Sequence, residues 1–223
     1  MDIKDEYIIK QIEKNLQEFD CISVRESNSS KIVAEMIGIT PEILIDPTLM
    51  IGENEWNKLL INSDEITELG DYIFFYSLGP SKEDIEILNI ISEKTGLPIV
   101  ISNTATRNDK TLKAKRILSA GPQEFLTLIK NAKLLCTTSF HGTVFSIIFE
   151  TPFFCINVDD DDRILSLLNK VKLTSRLINN NNYMEKYKEI NNISFNKAKE
   201  EISKEQEKSK KYILDAFDIG GEK

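Results

Sequence analysis

Short apolar runs rich in β-branched and aromatic residues alternate along the chain with longer stretches whose apolar positions recur at helical spacing, the pattern of a parallel α/β architecture. The chain opens with Ile8, Ile9, Ile12, Leu16 and Phe19 on a helical period, predicting a helix over 3–18. Residues 21–24 then read as a strand. A helix over 27–37 stops at Gly38, the residue type that tolerates a left-handed cap. A second short strand over 42–46 ends at Pro47; 56–61 reads as a short helix and 62–70 as a linker. Tyr72-Ile73-Phe74-Phe75-Tyr76 is the strongest strand signal, followed by a helix over 82–94. Further strands are expected at 98–102, 133–137 and 153–158, with a minor one at 117–119 and a polar loop over 102–110. Pro122 opens a helix, as proline does at a first helical position. Helices over 140–149 and 163–171 follow their strands, and 179–182 is a loop. The segment 185–217 is charged and helical, with apolar positions too sparse for a core of its own; it is expected to lean on residues 1–66. The strands at 72–76, 98–102, 133–137 and 153–157 are predicted to form one mainly parallel sheet.

Composition narrows the classes. At ~150 residues per domain, 223 residues make one large domain or two small ones. The formal charge is −8, which excludes a nucleic-acid binder that relies on bulk basicity. The N-terminus lacks the basic-then-apolar order of a signal peptide. The longest apolar stretch, 145–158, is cut by Glu150, Thr151 and Pro152 and is not a transmembrane segment. A cytoplasmic protein is expected, with peripheral membrane association left open. Cys21, Cys136 and Cys155 lie far apart in apolar runs, which reads as reduced, buried thiols. The chain has one histidine, so a Cys/His zinc cluster and any two-histidine mechanism are excluded. No dinucleotide fingerprint, P-loop or serine-hydrolase elbow occurs.

Candidate chemistry concentrates at strand ends. Residues 134–143 place a buried strand, a polar turn and an apolar helix in immediate succession. Ligands of open parallel sheets bind beyond the strand carboxyl ends, where helix N–H groups and an effective charge of roughly +0.5 favour an anion. Ser139 or Thr138 can cap this helix, Gly142 would let a ligand approach the backbone, and His141 can donate to an anion or exchange a proton. An ordinary capped helix with a surface histidine explains the same residues. Arg25 ends the first short strand and could fork onto a carboxylate or phosphate; the plainer account is an ion pair with Glu26 or Glu35. Asp46-Pro47-Thr48 reads as a structural turn. The aspartates at 159–162 read as helix-cap chemistry, and no metal site is expected.

Several of these segments together carry a resemblance. Cys21-Ile22-Ser23-Val24-Arg25-Glu26, Ile45-Asp46-Pro47-Thr48-Leu49, Gly121-Pro122-Gln123-Glu124-Phe125-Leu126 and Asn131-Ala132-Lys133 lead in order to Thr138-Ser139-Phe140-His141-Gly142-Thr143-Val144-Phe145-Ser146. With Pro152-Phe153, Arg163 and Ser175-Arg176-Leu177 beyond, this resembles the polysaccharide pyruvyl transferase family from about Phe19 to Ile178. The resemblance implies a Rossmann-like, mainly parallel sheet flanked by helices, similar to the C-terminal lobe of a two-lobed, GT-B-like glycosyltransferase. On that reading 1–69 is a remnant of the first lobe, 70–182 the Rossmann-like second lobe, and 183–223 a helical segment packing back on the first part. The strand and glycine/asparagine-rich loop that open the family's first lobe have no counterpart here. A fragment, a first lobe from another chain and a degenerate member are all consistent with that.

The resemblance also implies a transferase of exopolysaccharide and cell-envelope biosynthesis. It would move a pyruvyl group from phosphoenolpyruvate to a sugar as a cyclic ketal, with no cofactor and no metal. The sugar acceptor would be nucleotide-linked, lipid-linked or an oligosaccharide. His141 and Arg25 are the expected catalytic residues, and Ser139, Phe140, Gly142, Thr143 and Glu124 the expected substrate-binding ones. A non-catalytic anion- or sugar-binding lobe, and a nucleotide-sugar glycosyltransferase with Glu124 near the ribose, are the other readings. Whether this chain turns over by itself is left open.

Overall fold

The computed structural model describes residues 5–102, 112–117, 120–158 and 160–221, with side chains to Phe217. In chain order the elements are α1 (Glu6–Leu16), β1 (Ser23–Val24), α2 (Ser27–Ile37), β2 (Glu42–Ile43), α3 (Glu53–Asn57), α4 (Asp64–Thr67), β3 (Ile73–Tyr76), α5 (Lys82–Thr95), β4 (Ile99–Ser102), β5 (Ala114–Ile117), α6 (Pro122–Asn131), β6 (Leu134–Thr137), α7 (Phe140–Ile148), β7 (Phe153–Ile156), α8 (Asp162–Lys170), β8 (Leu177–Ile178), α9 (Tyr183–Lys186) and α10 (Asn196–Gly221). The chain forms two compact units. Residues 1–50 and 200–223 make the first, and 51–199 the second. The sequence reading drew its boundaries at 69/70 and 182/183 instead.

The second unit is built on a six-stranded sheet in the order β5-β4-β3-β6-β7-β8, every pair parallel. Numbered from β3, this is the 3-2-1-4-5-6 order of the doubly wound fold, and the order reverses between β3 and β6. The four strands expected from the sequence are all in it. They read clearly because strands covered on both faces are apolar throughout. One face carries Ile73, Phe75, Ile99, Ile101, Leu134, Cys136, Phe154 and Ile156 against α5. On the other face Phe74 and Tyr76 meet Phe125 of α6, which in turn meets Phe145 of α7.

Several boundaries differ from the sequence reading. The minor strand proposed at 117–119 is β5, three residues earlier at its start; residues 118–119 lie outside the described residues, as does most of the proposed loop at 102–110. The helix expected at 56–61 is α3, which starts earlier because Gly52 and its acidic first turn suit a helix N-terminus. The supposed linker 62–70 contains α4, whose Ile66 is buried. Residues 51–61 pack on this unit: the Trp56 ring meets Phe145 edge-on at 4.9 Å, Lys130 pairs with Glu53, and Ile61 N–H donates to Thr127 Oγ1. The segment 185–217 is not one helix. It breaks between α9 and α10, where buried Arg176 donates to the carbonyls of Glu189 and Asn192 and holds the intervening loop.

The first unit has a smaller framework. Strands β1 and β2 pair in parallel over two residues each, shorter than the runs 21–24 and 42–46 suggested. The backbone groups beyond the pair are taken up by α10. Ser209 Oγ accepts from Ile45 N–H at 3.1 Å, Tyr212 donates to the Ile22 carbonyl at 2.8 Å, and Gln206 donates to the Leu49 carbonyl. From Glu200 onward the C-terminal segment therefore packs on residues 1–50, while Phe217 at its end is exposed. Gly38 caps α2 at φ 73°, the left-handed position its sequence suggested.

Ser209 is fully buried, so Ser209→Ala would leave the Ile45 N–H without an acceptor. Denaturant unfolding of the variant is expected to show a loss of about 1–3 kcal/mol, while Lys208→Ala, at an exposed end of the same helix turn, is expected to change little.

Candidate functional site

Because every strand of the large sheet is parallel, α5, α6, α7 and α8 each begin at its carboxyl edge. Their first-turn N–H groups, which have no carbonyl a turn earlier to accept them, open on one side of the molecule's second unit. What sits over those groups differs. Asp84 accepts from Ser81 N–H at the start of α5 and also holds the Asn157 amide at 2.6 Å. Glu124 accepts from Gly121 N–H at 2.8 Å at the start of α6. Asp161 accepts from Arg163 N–H and Ile164 N–H at the start of α8. Burial pushes the Asp161 carboxyl up, but the Arg163 guanidinium and the α8 N–H groups outweigh it and hold the group below the usual aspartate range. At α7 the cap is the neutral Ser139 hydroxyl, which accepts a long bond from Gly142 N–H at 3.4 Å. Of the four helix starts, α7 alone lacks a carboxylate, so no side-chain charge offsets its dipole.

The turn into α7 is tightly fixed. Thr137 Oγ1 donates to the Tyr76 carbonyl at 2.6 Å and accepts from Ser139 N–H at 3.0 Å. Thr138 Oγ1 and Ser77 Oγ are 2.7 Å apart, linking the ends of β6 and β3. Thr143 Oγ1 donates to the Ser139 carbonyl and lies 3.1 Å from Cys155 Sγ. His141 stands exposed in the first turn of α7, its ring edge-on to Phe140 at 5.4 Å. The Arg163 guanidinium lies over the same Phe140 ring and is held by Asp161 through two hydrogen bonds. Beyond the ends of β6 and β7 an open cleft of about 450 Å³ is lined by Thr138, Asn157, Val158, Asp160, Asp161, Asp162 and Arg163.

These placements sort the expected site residues. Ser139, Phe140 and His141 come together at the start of α7. Gly142 and Thr143 are buried behind them. The expectation that Gly142 lets a ligand approach the backbone is corrected: a Cβ there would lie 2.6 Å from Thr137 Oγ1, so the missing side chain makes room for β6. Glu124 sits at the start of α6 with one oxygen on Gly121 N–H. Arg25 belongs to the first unit, where Nε lies 3.4 Å from Glu26, the ion pair of the plainer account, and Nη1 also bonds Asp46 Oδ2. Burial raises the Asp46 carboxyl, but the Arg25 guanidinium and the Thr48 N–H more than offset this and keep it below the usual aspartate range. Cys136 and Cys155 are fully buried, and burial pushes the Cys155 thiol up to about 12, so it stays protonated at neutral pH. Among the described residues no group of three or more His, Cys, Asp or Glu is arranged to hold a metal ion. Nor is any described helix long and apolar enough to cross a membrane.

The model of the polysaccharide pyruvyl transferase family matches residues 2–160, well over half of the chain. The chain belongs to that family. No curated protein matches it. Among solved structures it is similar to the UDP-N-acetylglucosamine 2-epimerase of Rickettsia bellii, with TM-score 0.60 and 13% identity over 97% of this chain and 65% of that one. It is also similar to the Methanocaldococcus jannaschii UDP-GlcNAc 2-epimerase, solved with UDP-GlcNAc and UDP, with TM-score 0.55 and 18% identity over 79% of this chain and 55% of that one. The N-terminal domain of Candida albicans trehalose-6-phosphate phosphatase gives TM-score 0.58 and 13% identity, over 94% of this chain and 60% of that one. At such identities the likeness is one of fold: a mainly parallel sheet with flanking helices, as in GT-B-like proteins. The chain spans about 55–65% of the length of these structures.

The contact between Gly142 and Thr137 gives the pyruvyl transferase fold at this point a sharp test. Both residues are fully covered, and Thr137 is held at two hydrogen bonds. Gly142→Ala is expected to lower stability by about 1–3 kcal/mol, read as a lower denaturation midpoint with an unchanged slope.

Proposed function

We propose that the chain carries the donor site of a pyruvyl transferase that moves the pyruvyl group of phosphoenolpyruvate onto two hydroxyls of one sugar. The observation that carries the reading is the start of α7: a helix N-terminus without a carboxylate, with the chain's one histidine exposed in its first turn, in a member of this family. The donor bears a carboxylate and a phosphate. In a protein of net charge −8 its binding must come from local groups, and the α7 N–H groups supply one. Arg25 is assigned the same kind of role on the first unit, its fork oriented by Asp46 and Glu26.

The chemistry balances without a metal or cofactor. The His141 imidazolium gives a proton to the donor's methylene carbon, which becomes a methyl group and leaves the adjacent carbon electrophilic. One sugar hydroxyl adds to that carbon, and its proton restores the His141 imidazolium. The bond between that carbon and the phosphate oxygen then breaks, and the second hydroxyl closes the ketal as its proton passes to the departing phosphate. The acceptor is a sugar of a polysaccharide or its precursor. The likeness to nucleotide-sugar epimerases favours a nucleotide-linked precursor over a finished polymer. A reaction of this kind on soluble precursors suits the cytoplasm.

Phosphorus NMR of phosphoenolpyruvate with the full chain is expected to show binding, and phosphate release when an acceptor is supplied. His141→Ala is expected to reduce kcat by ~10²–10⁴ with donor binding largely kept. Wild-type turnover in that variant would remove the catalytic role. No donor response in the wild-type protein would remove the function.

A further inference from the structure

The carboxyl end of β3 carries an aromatic side chain whose ring the fold packs but whose hydroxyl neither the fold nor the donor site uses. Tyr76 is the last residue of β3, at the point where strand order reverses. Its carbonyl accepts from Thr137 Oγ1 and Thr138 N–H, so it flanks the turn that leads to His141. Its ring is half-buried and lies 4.6 Å from the ring of Phe125, itself half-buried in α6. Phe74, two residues earlier, completes the support at 6.3 Å.

The polar groups around this ring are engaged with one another. Ser77 pairs with Thr138, Thr137 with Tyr76 and Ser139, and one Glu124 oxygen with Gly121. The Tyr76 hydroxyl is different. It makes no hydrogen bond among the described residues and is open to solvent, so it is available to a ligand. Glu124 Oε1, next in sequence to Phe125, has none either. A rigid ring with a hydroxyl bonded to no described residue, and at the start of α6 a carboxylate oxygen with open lone pairs, offer an apolar face and two polar contacts. A pyranose presents the complement: a face of C–H bonds and a rim of hydroxyls.

We propose that Tyr76, supported by Phe125 and joined by Glu124, is the platform that orients the acceptor sugar's ring beside the α7 donor site. It is a specificity-determining residue for that substrate, and its assignment rests on the pyruvyl-transfer reading. The site recognises an uncharged pyranose. The Glu124 carboxylate accepts from a ring hydroxyl and the Tyr76 hydroxyl bonds a neighbouring one, while an anionic sugar in the same place would face the carboxylate.

Saturation-transfer NMR on the full chain, with methyl β-galactopyranoside and methyl β-mannopyranoside as probes, tests this directly. Ring C–H protons of at least one glycoside are expected to receive saturation from the wild-type protein. Tyr76→Ala is expected to weaken binding of that glycoside on the order of 10- to 100-fold, and Tyr76→Phe by ~3- to 10-fold, the worth of one neutral hydrogen bond. Binding of phosphoenolpyruvate, followed by phosphorus NMR without glycoside, is expected to be kept in both variants. Tyr76→Phe keeps the ring packing, so its unfolding midpoint should match the wild type and separate recognition from folding. No glycoside signal in the wild type, or a signal indifferent to both variants, would overturn the platform. A glycoside signal that behaves as expected beside an absent donor response would instead overturn the pyruvyl-transfer reading.

Discussion

The close approach of α7 to the end of β6 is the contact on which the site geometry rests. Thr137 is the last residue of β6, and its hydroxyl ties together the Tyr76 carbonyl on β3 and the N–H of Ser139. That arrangement fits only if α7 comes down on Thr137 with no side chain between, which Gly142 provides. Residue 142 is in the first turn, so the requirement fixes how the helix leaves the strand and therefore where residues 139–141 stand. With the carbonyl, the hydroxyl and the helix start held together, His141 is presented from a rigid base. Rigid placement is what the proposed proton transfer from His141 asks for, because a loosely held imidazole loses most of its advantage.

Charge is distributed in the same economical way. The protein is acidic overall, and three of the four helix starts at the carboxyl edge are covered by Asp84, Glu124 and Asp161. Those carboxylates satisfy orphan N–H groups and remove the attraction those helix ends would hold for an anion. The α7 start is thereby selected by contrast, with a hydroxyl cap. Arg163, whose guanidinium lies over the Phe140 ring, is itself matched to Asp161. The outcome is an acidic surface on which the proposed anion site is a local exception.

Much of the large sheet was legible in the sequence because β3, β4, β6 and β7 are buried on both faces and read as unbroken apolar runs. The edge strand β5, Ala-Lys-Arg-Ile, was placed late because half of it faces outward, and β8 is too short to give a pattern. The start of α7 was legible as strand, polar turn and apolar helix. The reason for Gly142 was not, since it lies in Thr137, a partner defined by packing. Arg25 and Asp46 were each noted, but their pairing spans 21 residues and no local spacing encodes it. Tyr76 read as a strand residue alone. The signal that could have singled it out was a large amphipathic side chain at the last position of a central strand, where buried apolar residues give way to ligand.

The first unit shows how a short parallel pair is kept folded. Two residues of ladder between β1 and β2 supply few hydrogen bonds, and parallel pairing is favourable mainly where both faces are covered. Here α10 does the covering and also the bonding, through Ser209, Tyr212 and Gln206 to backbone groups at 45, 22 and 49. A helix normally contributes packing alone to a neighbouring strand; this one replaces missing ladder bonds with side-chain ones. The polar residues that made 185–217 look too hydrophilic for a core are therefore part of what buries it. Sparse apolar periodicity in that helix reflects a sheet whose edges need acceptors and donors as much as they need hydrophobic cover.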